Sequence, residues 1–160
     1  MLKDVSRAFP PVSLLLPAEA SAPRQARAAV TAALGEYLAA EPADDVALVV
    51  GELVANSVRH AALGPTSRVG VDLGLIGGHV WITVSDTGSR LLPHKVPREP
   101  DTPGGLGLLV VDRLARSWGV ARDGVGRTRV WCELATDRPR VGASAQGARE
   151  WADSYSPHPA

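Results

Sequence analysis

Hydrophobic positions along the chain change their period several times, and each change marks an element boundary. From about Ala22 to Ala40, the residues Ala26, Val30, Ala33, Leu34 and Leu38 recur at spacings of three and four. That spacing predicts a helix with one apolar face, with Ser21 as N-cap, Pro23 in the first turn and Pro42 as the stop. A second helix is predicted from Ala43 through Val58 to Ala62. Its buried stripe is Val46, Val49, Val50, Leu53, Val54 and Ala61, and Gly64-Pro65 closes it. Then the period drops to two. Val69, Val71, Leu73 and Leu75 alternate with small or polar residues, so Ser67–Ile76 and Val80–Asp86 read as strands. Gly77-Gly78 between them is a hairpin signal. Residues 87–104 hold four prolines and no periodicity, which predicts a long loop. A third helix over Leu106–Ser117 comes next, then strands Trp118–Arg122 and Thr128–Ala135 joined by a turn at Asp123-Gly124-Val125-Gly126. Upstream, Ser13–Leu16 is a short edge strand ended by Pro17.

The order is strand, helix, helix, strand, strand, helix, strand, strand. It predicts an α/β (α+β) two-layer sandwich: a mixed, largely antiparallel sheet with helices on one face. The domain is expected over residues 12–136, with flexible segments at 1–11 and 137–160.

Composition adds exclusions rather than a function. Of 160 residues, 45% are hydrophobic, enough for a core. Seventeen basic residues balance 17 acidic ones, so no global charge draws the chain to nucleic acid or anionic lipid. A single cysteine, Cys132, allows no internal disulfide and no zinc knuckle. No apolar run reaches membrane-spanning length, and a cytoplasmic location is the expectation.

Four short patterns carry candidate chemistry. Glu52, Asn56 and His60 lie at i, i+4 and i+8 and stack along one side of the second helix, drifting about 40° per step. A carboxylate can take a proton from a nucleophile, and an amide oxygen can ligate a hard cation such as Mg²⁺. The plainer alternative is a solvated helix face. The strand ending Val84-Ser85-Asp86-Thr87-Gly88 places a carboxylate where it could accept from an exocyclic amine, with Gly88 open to a ring; an ordinary strand-ending turn has the same look. Gly104-Gly105-Leu106-Gly107-Leu108 opens the third helix, and backbone N–H groups at a helix start attract anions. It is neither a Walker A loop nor a dinucleotide fingerprint, which would need glycine at Val110. Gly126-Arg127-Thr128 precedes the last strand, where a hydroxyl and a cation could reach phosphate, or simply form a hairpin turn.

In this order, Glu-x-x-x-Asn, Asp-x-Gly, a long loop, Gly-x-Gly-Leu and Gly-x-Thr resemble the GHKL ATPase superfamily. Glu-Leu-Val-x-Asn-x-x-x-His-Ala and the closing Thr-x-Val-Trp-x-Glu-Leu look like the branch of RsbW-like anti-sigma-factor serine kinases and their ATP-binding relatives. The resemblance spans about residues 12–135. It implies the Bergerat-type ATP-binding fold, with ATP and Mg²⁺ as ligands. Glu52 would be the general base toward a serine, and Asn56 the Mg²⁺ ligand. Asp86 would recognise adenine, with Gly88 under the ring. Gly105, Leu106, Gly107 and Leu108 would hold phosphates, Thr128 would close the pocket, and Ser89–Gly104 would be the lid. His60 receives no role.

The resemblance implies two functions ahead of a third, the isolated ATPase domain of a sensor histidine kinase, which ranks last because no dimerisation helix with an acceptor His is expected before residue 22. One is a serine/threonine kinase that phosphorylates a small anti-anti-sigma (STAS-type) protein and sequesters a sigma factor, with a homodimer as in relatives and no nucleic acid or membrane partner. The other is a nucleotide-gated protein-binding module without transfer. Kinase members of the branch can carry an Arg before the Gly-rich turn. This chain has Thr102-Pro103-Gly104 there, with Arg98 the nearest upstream cation, which favours the module.

Overall fold

A computed structural model describes residues 10–60, 66–86, 106–122 and 127–136. The elements run β1 (Val12–Pro17), α1 (Ala22–Leu34), α2 (Ala40–His60), β2 (Arg68–Ile76), β3 (His79–Asp86), α3 (Leu106–Leu114), β4 (Ser117–Arg122) and β5 (Thr128–Ala135). The strands form one sheet in the order β1-β2-β3-β5-β4, and every pairing in it is antiparallel. The two-layer α+β sandwich expected from the sequence is the observed fold. Among the described residues no helix is long and apolar enough to cross a membrane.

Strand alternation separates the two faces. On one face, Leu14 and Leu16 of β1, Val69, Val71 and Leu73 of β2, Val80, Ile82 and Val84 of β3, and Val130, Cys132 and Leu134 of β5 join a single core with the helices. From α2, the stripe Val46, Val49, Val50, Leu53 and Val54 is fully buried against it. The helix packs on β2, β3 and β5, while α1 covers β1 and α3 lies between α2 and β4. Burying each such Val or Leu contributes roughly 1.5–3 kcal/mol, so this stripe dominates the attachment of helix layer to sheet. Gly77 and Gly78 both have positive φ (59° and 79°), the conformation a tight two-residue hairpin requires.

Three expected boundaries move, each for a local reason. The first helix stops at Leu34 rather than running to Ala40; Gly35 comes next, and Leu38 stays buried from a turn outside the helix. Pro42 does not end that helix. It sits in the first turn of α2, where a missing N–H costs nothing. The third helix ends at Leu114, because the Arg116 N–H donates to the Glu133 carbonyl at 2.7 Å and Ser117 already pairs with β5. Ser21 occupies the N-cap position without capping. Its hydroxyl donates to the Glu19 carboxylate at 2.6 Å and accepts from Gln25 at 2.9 Å.

The order β3-β5-β4 brings two distant parts of the chain together. After β3 the chain skips one position, lays down β4 at the edge, and returns β5 into the gap. The end of β3 and the start of β5 therefore lie side by side on the face that the helices cover.

Candidate functional site

Asn56 lies on α2 and is 5% exposed. Its Nδ2 is buried and has no hydrogen-bond partner among the described residues. An unmatched buried amide is costly, so Asn56, which with Ser57 is one of two buried polar residues described on α2, calls for a partner from outside the described residues. The amide oxygen and nitrogen exchange by a half-turn of the side chain, so the site can offer an acceptor to a cation or a donor to a phosphate.

One turn earlier, Glu52 is partly exposed. Its carboxylate lies against the start of α3. A Cβ added at Gly107 would stand 2.7 Å from Glu52 Oε2 and 3.5 Å from Glu52 Cβ. A side chain at 107 would displace the Glu52 carboxylate, so glycine there keeps it beside a helix N-terminus whose first amides have no intrahelical partners. A helix start favours anions, so an anionic substrate at this turn would have a base within its first layer of neighbours.

Asp86 ends β3 and is 5% exposed; Thr128 begins β5 and is 1% exposed. The register pairs Ser85 with Arg129, so Asp86 and Thr128 stand one step on, at the same end of neighbouring strands. Thr128 also pairs with Arg122 of β4. Thr128 Oγ1 is buried with no hydrogen-bond partner among the described residues. Asp86 and Thr128 continue the helix-facing rows that contain Val84 and Val130. Thus two strands that bury valines turn polar at one end, beneath the layer in which α2 packs on β3 and β5 and α3 packs on α2.

The structure brings Glu52 directly to Gly107 and Asp86 beside Thr128, and it buries Asn56 in the same helix layer. Leu108 is half-buried and packs against the core, so its side chain serves the fold while its backbone belongs to the first turn of α3. Leu106 opens α3. Gly88, Gly105 and the expected lid Ser89–Gly104 lie outside the described residues, as do Ala61 and the turn at 123–126.

These residues offer contacts that a polar ligand could use. Asn56 and Thr128 supply buried polar atoms without partners, and Gly107 supplies backbone access next to a carboxylate. Among the described residues no three His, Cys, Asp or Glu side chains gather around a point that could hold a metal ion. A cation at Asn56 would take most of its oxygens from phosphate and water, as Mg²⁺ commonly does.

Another polar cluster has no signature in the sequence. At the opposite end of β3, His79 Nδ1 lies 2.6 Å from Glu133 Oε1, both residues buried, and the Ser117 hydroxyl donates to Glu133 Oε2 at 2.9 Å. These residues are far apart in sequence and meet only through strand pairing, so no local pattern signals them. Cys132 is fully buried, and burial pushes its thiol well above the ordinary range, which leaves it a core side chain and not a nucleophile.

The fold is a helix-backed antiparallel sheet with buried polar atoms at one strand end and a helix that opens near a glycine. Residues 16–132 match the histidine kinase-like ATPase domain family, HATPase_c_2, and the chain belongs to that family. ATP binding comes with that membership. Among solved structures, the chain is similar to the histidine kinase domain from Erythrobacter litoralis EL346 blue-light activated histidine kinase. The two share 22% identity with a TM-score of 0.44, over 60% of this chain and 45% of that one. The chain thus spans less than half of that domain's length. No curated protein gives a match.

Proposed function

We propose that this chain is an ATP-dependent regulatory protein that transfers the γ-phosphoryl group to a serine of a small antagonist protein and, in its other state, holds a sigma factor. The observation that carries this reading is the Glu52 carboxylate against Gly107. A domain that only binds nucleotide has no need of a base at its phosphate-binding turn.

The chemistry needs few parts. The serine oxygen attacks the γ-phosphorus as Glu52 takes the hydroxyl proton. The bond to the bridging oxygen breaks, ADP leaves, and phosphoserine forms. Phosphoryl transfer depends mostly on positioning and charge neutralisation. Bound Mg²⁺, held through Asn56, would supply neutralisation of the phosphate charge. The first amides of α3 supply it from the protein side. Asp86 would accept from the exocyclic amine of adenine. Guanine carries an oxygen at that place, so Asp86 would repel it.

Incubation with γ-labelled ATP and a candidate antagonist tests the proposal. Glu52→Ala is expected to keep ATP affinity within about threefold and to lose transfer by roughly 10²-fold or more, the usual weight of a general base. Normal transfer by that variant would remove Glu52 from the base role. A second reading rests on Thr102-Pro103-Gly104, which lacks the upstream Arg of kinase relatives. In that reading ATP sets the affinity for a protein partner, and wild type transfers no label while its partner affinity still depends on ATP.

A further inference from the structure

The helix-facing row of edge strand β4 ends on a cation. Trp118 and Val120 pack against the core, so alternation turns Arg122 to the same side. The register sets Trp118 opposite Cys132, Val120 opposite Val130 and Arg122 opposite Thr128. Side chains directly opposite on one face stand about 5 Å apart at Cβ. The exposed Arg122 therefore rises beside a hydroxyl that is 1% exposed and has no hydrogen-bond partner among the described residues.

The start of α3 comes to the same end. Only Ala115 and Arg116 separate α3 from β4, and the Trp118 indole N–H donates to Asp112 Oδ1 at 3.3 Å. The chain thus doubles back on itself. From that contact, six residues of α3 lead back about 9 Å to Leu106, and four steps of β4 lead about 13 Å to Arg122. Charge at this end is one-sided. Among the described residues of the candidate site, Glu52 and Asp86 are acidic and none is basic. A triphosphate beside two carboxylates needs more positive charge than a helix start provides. Arg68 and Arg129 each adjoin a core valine, Val69 or Val130, and so turn to the other face. Arg122 is the cation that the helix-facing rows offer here.

We infer that Arg122 binds the phosphates of ATP, which makes it a specificity-determining residue for the triphosphate. It takes the place of Arg127, the cation that the sequence pattern sets next to Thr128, and supplies charge that Thr102-Pro103-Gly104 before the Gly-rich turn lacks. The assignment rests on the nucleotide reading of the site. A guanidinium presents paired N–H donors that match phosphate oxygens, and it stays charged at every working pH. Its contribution therefore grows with the number of phosphates on the ligand and is absent for a nucleoside.

The test is a calorimetric titration of the full chain, as wild type and as Arg122→Gln, with ATP, ADP and adenosine. Arg122→Gln is expected to weaken ATP roughly tenfold or more, ADP less, and adenosine not at all. Added salt should narrow the difference for ATP. Arg122→Lys should recover part of the loss, and Arg129→Gln, on the outer face, should match wild type. Melting midpoints should agree among these variants, because Arg122 is exposed at a strand end. Three results would overturn the assignment. One is unchanged ATP affinity in Arg122→Gln. Another is an equal loss for ATP and adenosine, which would move the contact to the base or mark a folding defect. The third is a loss in Arg127→Gln and none in Arg122→Gln, which would return the cation to the residue before Thr128. Wild type that binds no ATP would be a separate failure, of the nucleotide reading itself, and the assignment would fall with it.

Discussion

The two ends of strands β3 and β5 treat buried polar groups in opposite ways. At the His79 end, imidazole, carboxylate and hydroxyl close on one another: His79 on Glu133, Ser117 on Glu133, and Thr136 on the Gly78 carbonyl. At the Asp86 end, Thr128 Oγ1 is as deeply buried and meets no partner among the described residues, and the Asn56 amide on α2 shares that state. Burial is alike, so solvent access does not separate them. A polar group that has its partners within the fold contributes to structure. One buried without them carries a desolvation cost of about 1–3 kcal/mol that a ligand can offset. Thr83 Oγ1, on the other face of the sheet, is equally without a partner among the described residues, so an unmatched atom marks a candidate for ligand contact and does not by itself define a site.

The sharpest way to break the contrast is to delete one group from each end. Removing the imidazole leaves the buried Glu133 carboxylate with the Ser117 hydroxyl as its remaining partner among the described residues. His79→Ala is therefore expected to lower stability by about 3–5 kcal/mol in denaturant titrations, with ATP affinity unchanged once the protein is folded. Thr128→Val should do the reverse. It should weaken ATP by roughly tenfold, equivalent to about 1.4 kcal/mol, and move the melting midpoint little. A large loss of ATP affinity in His79→Ala would merge the two ends into one functional unit.

An effect of the same size sharpens the comparison at Asn56. Asn56→Ala should reduce ATP affinity about tenfold in Mg²⁺ and much less without it, read by calorimetry in both buffers. Equal losses in the two buffers would make the amide a phosphate donor and not a cation ligand.

The smallest effect belongs to Cys132, buried between the two ends. Its thiol is raised by burial above its ordinary value of 9.0. Above about pH 9 the unfolded chain releases that proton while the folded chain keeps it. Stability should then fall by about 1.4 kcal/mol per pH unit from this group. The slope should be shallower by that amount in Cys132→Ala, and below pH 9 the two slopes should coincide.

The β elements were legible in the sequence because alternation is a local property. Val69, Val71, Leu73 and Leu75 declare a strand with one buried face, and Gly77-Gly78 declares the turn after it. The helix stripe of Val46, Val49, Val50, Leu53 and Val54 was equally plain. Helix ends were less so. Pro42 looks like a terminator in one dimension, and only its place in the first turn of α2 shows that no hydrogen bond is lost. The extra turns expected for α3 gave way to a tertiary bond, Arg116 N–H to the Glu133 carbonyl, that no local pattern contains.

The site was legible as types and spacing and not as contacts. Glu52, Asn56, Asp86, Gly107 and Thr128 could be chosen from the chain. That the Glu52 carboxylate occupies the space a side chain at Gly107 would take is a fact of packing between α2 and α3. The His79–Glu133 pair was hidden for the same reason, since strand pairing arises between distant segments.

The most direct test is a calorimetric titration of the folded wild-type chain with ATP, with and without Mg²⁺, and with GTP as the control. Saturable binding of ATP, strengthened by Mg²⁺ and absent with GTP, is the expected result if, as proposed, Asn56, Asp86, Thr128 and the start of α3 hold the nucleotide together. No ATP binding, or equal binding of ATP and GTP, would contradict it and leave the unmatched Thr128 and Asn56 groups without the ligand assigned to them.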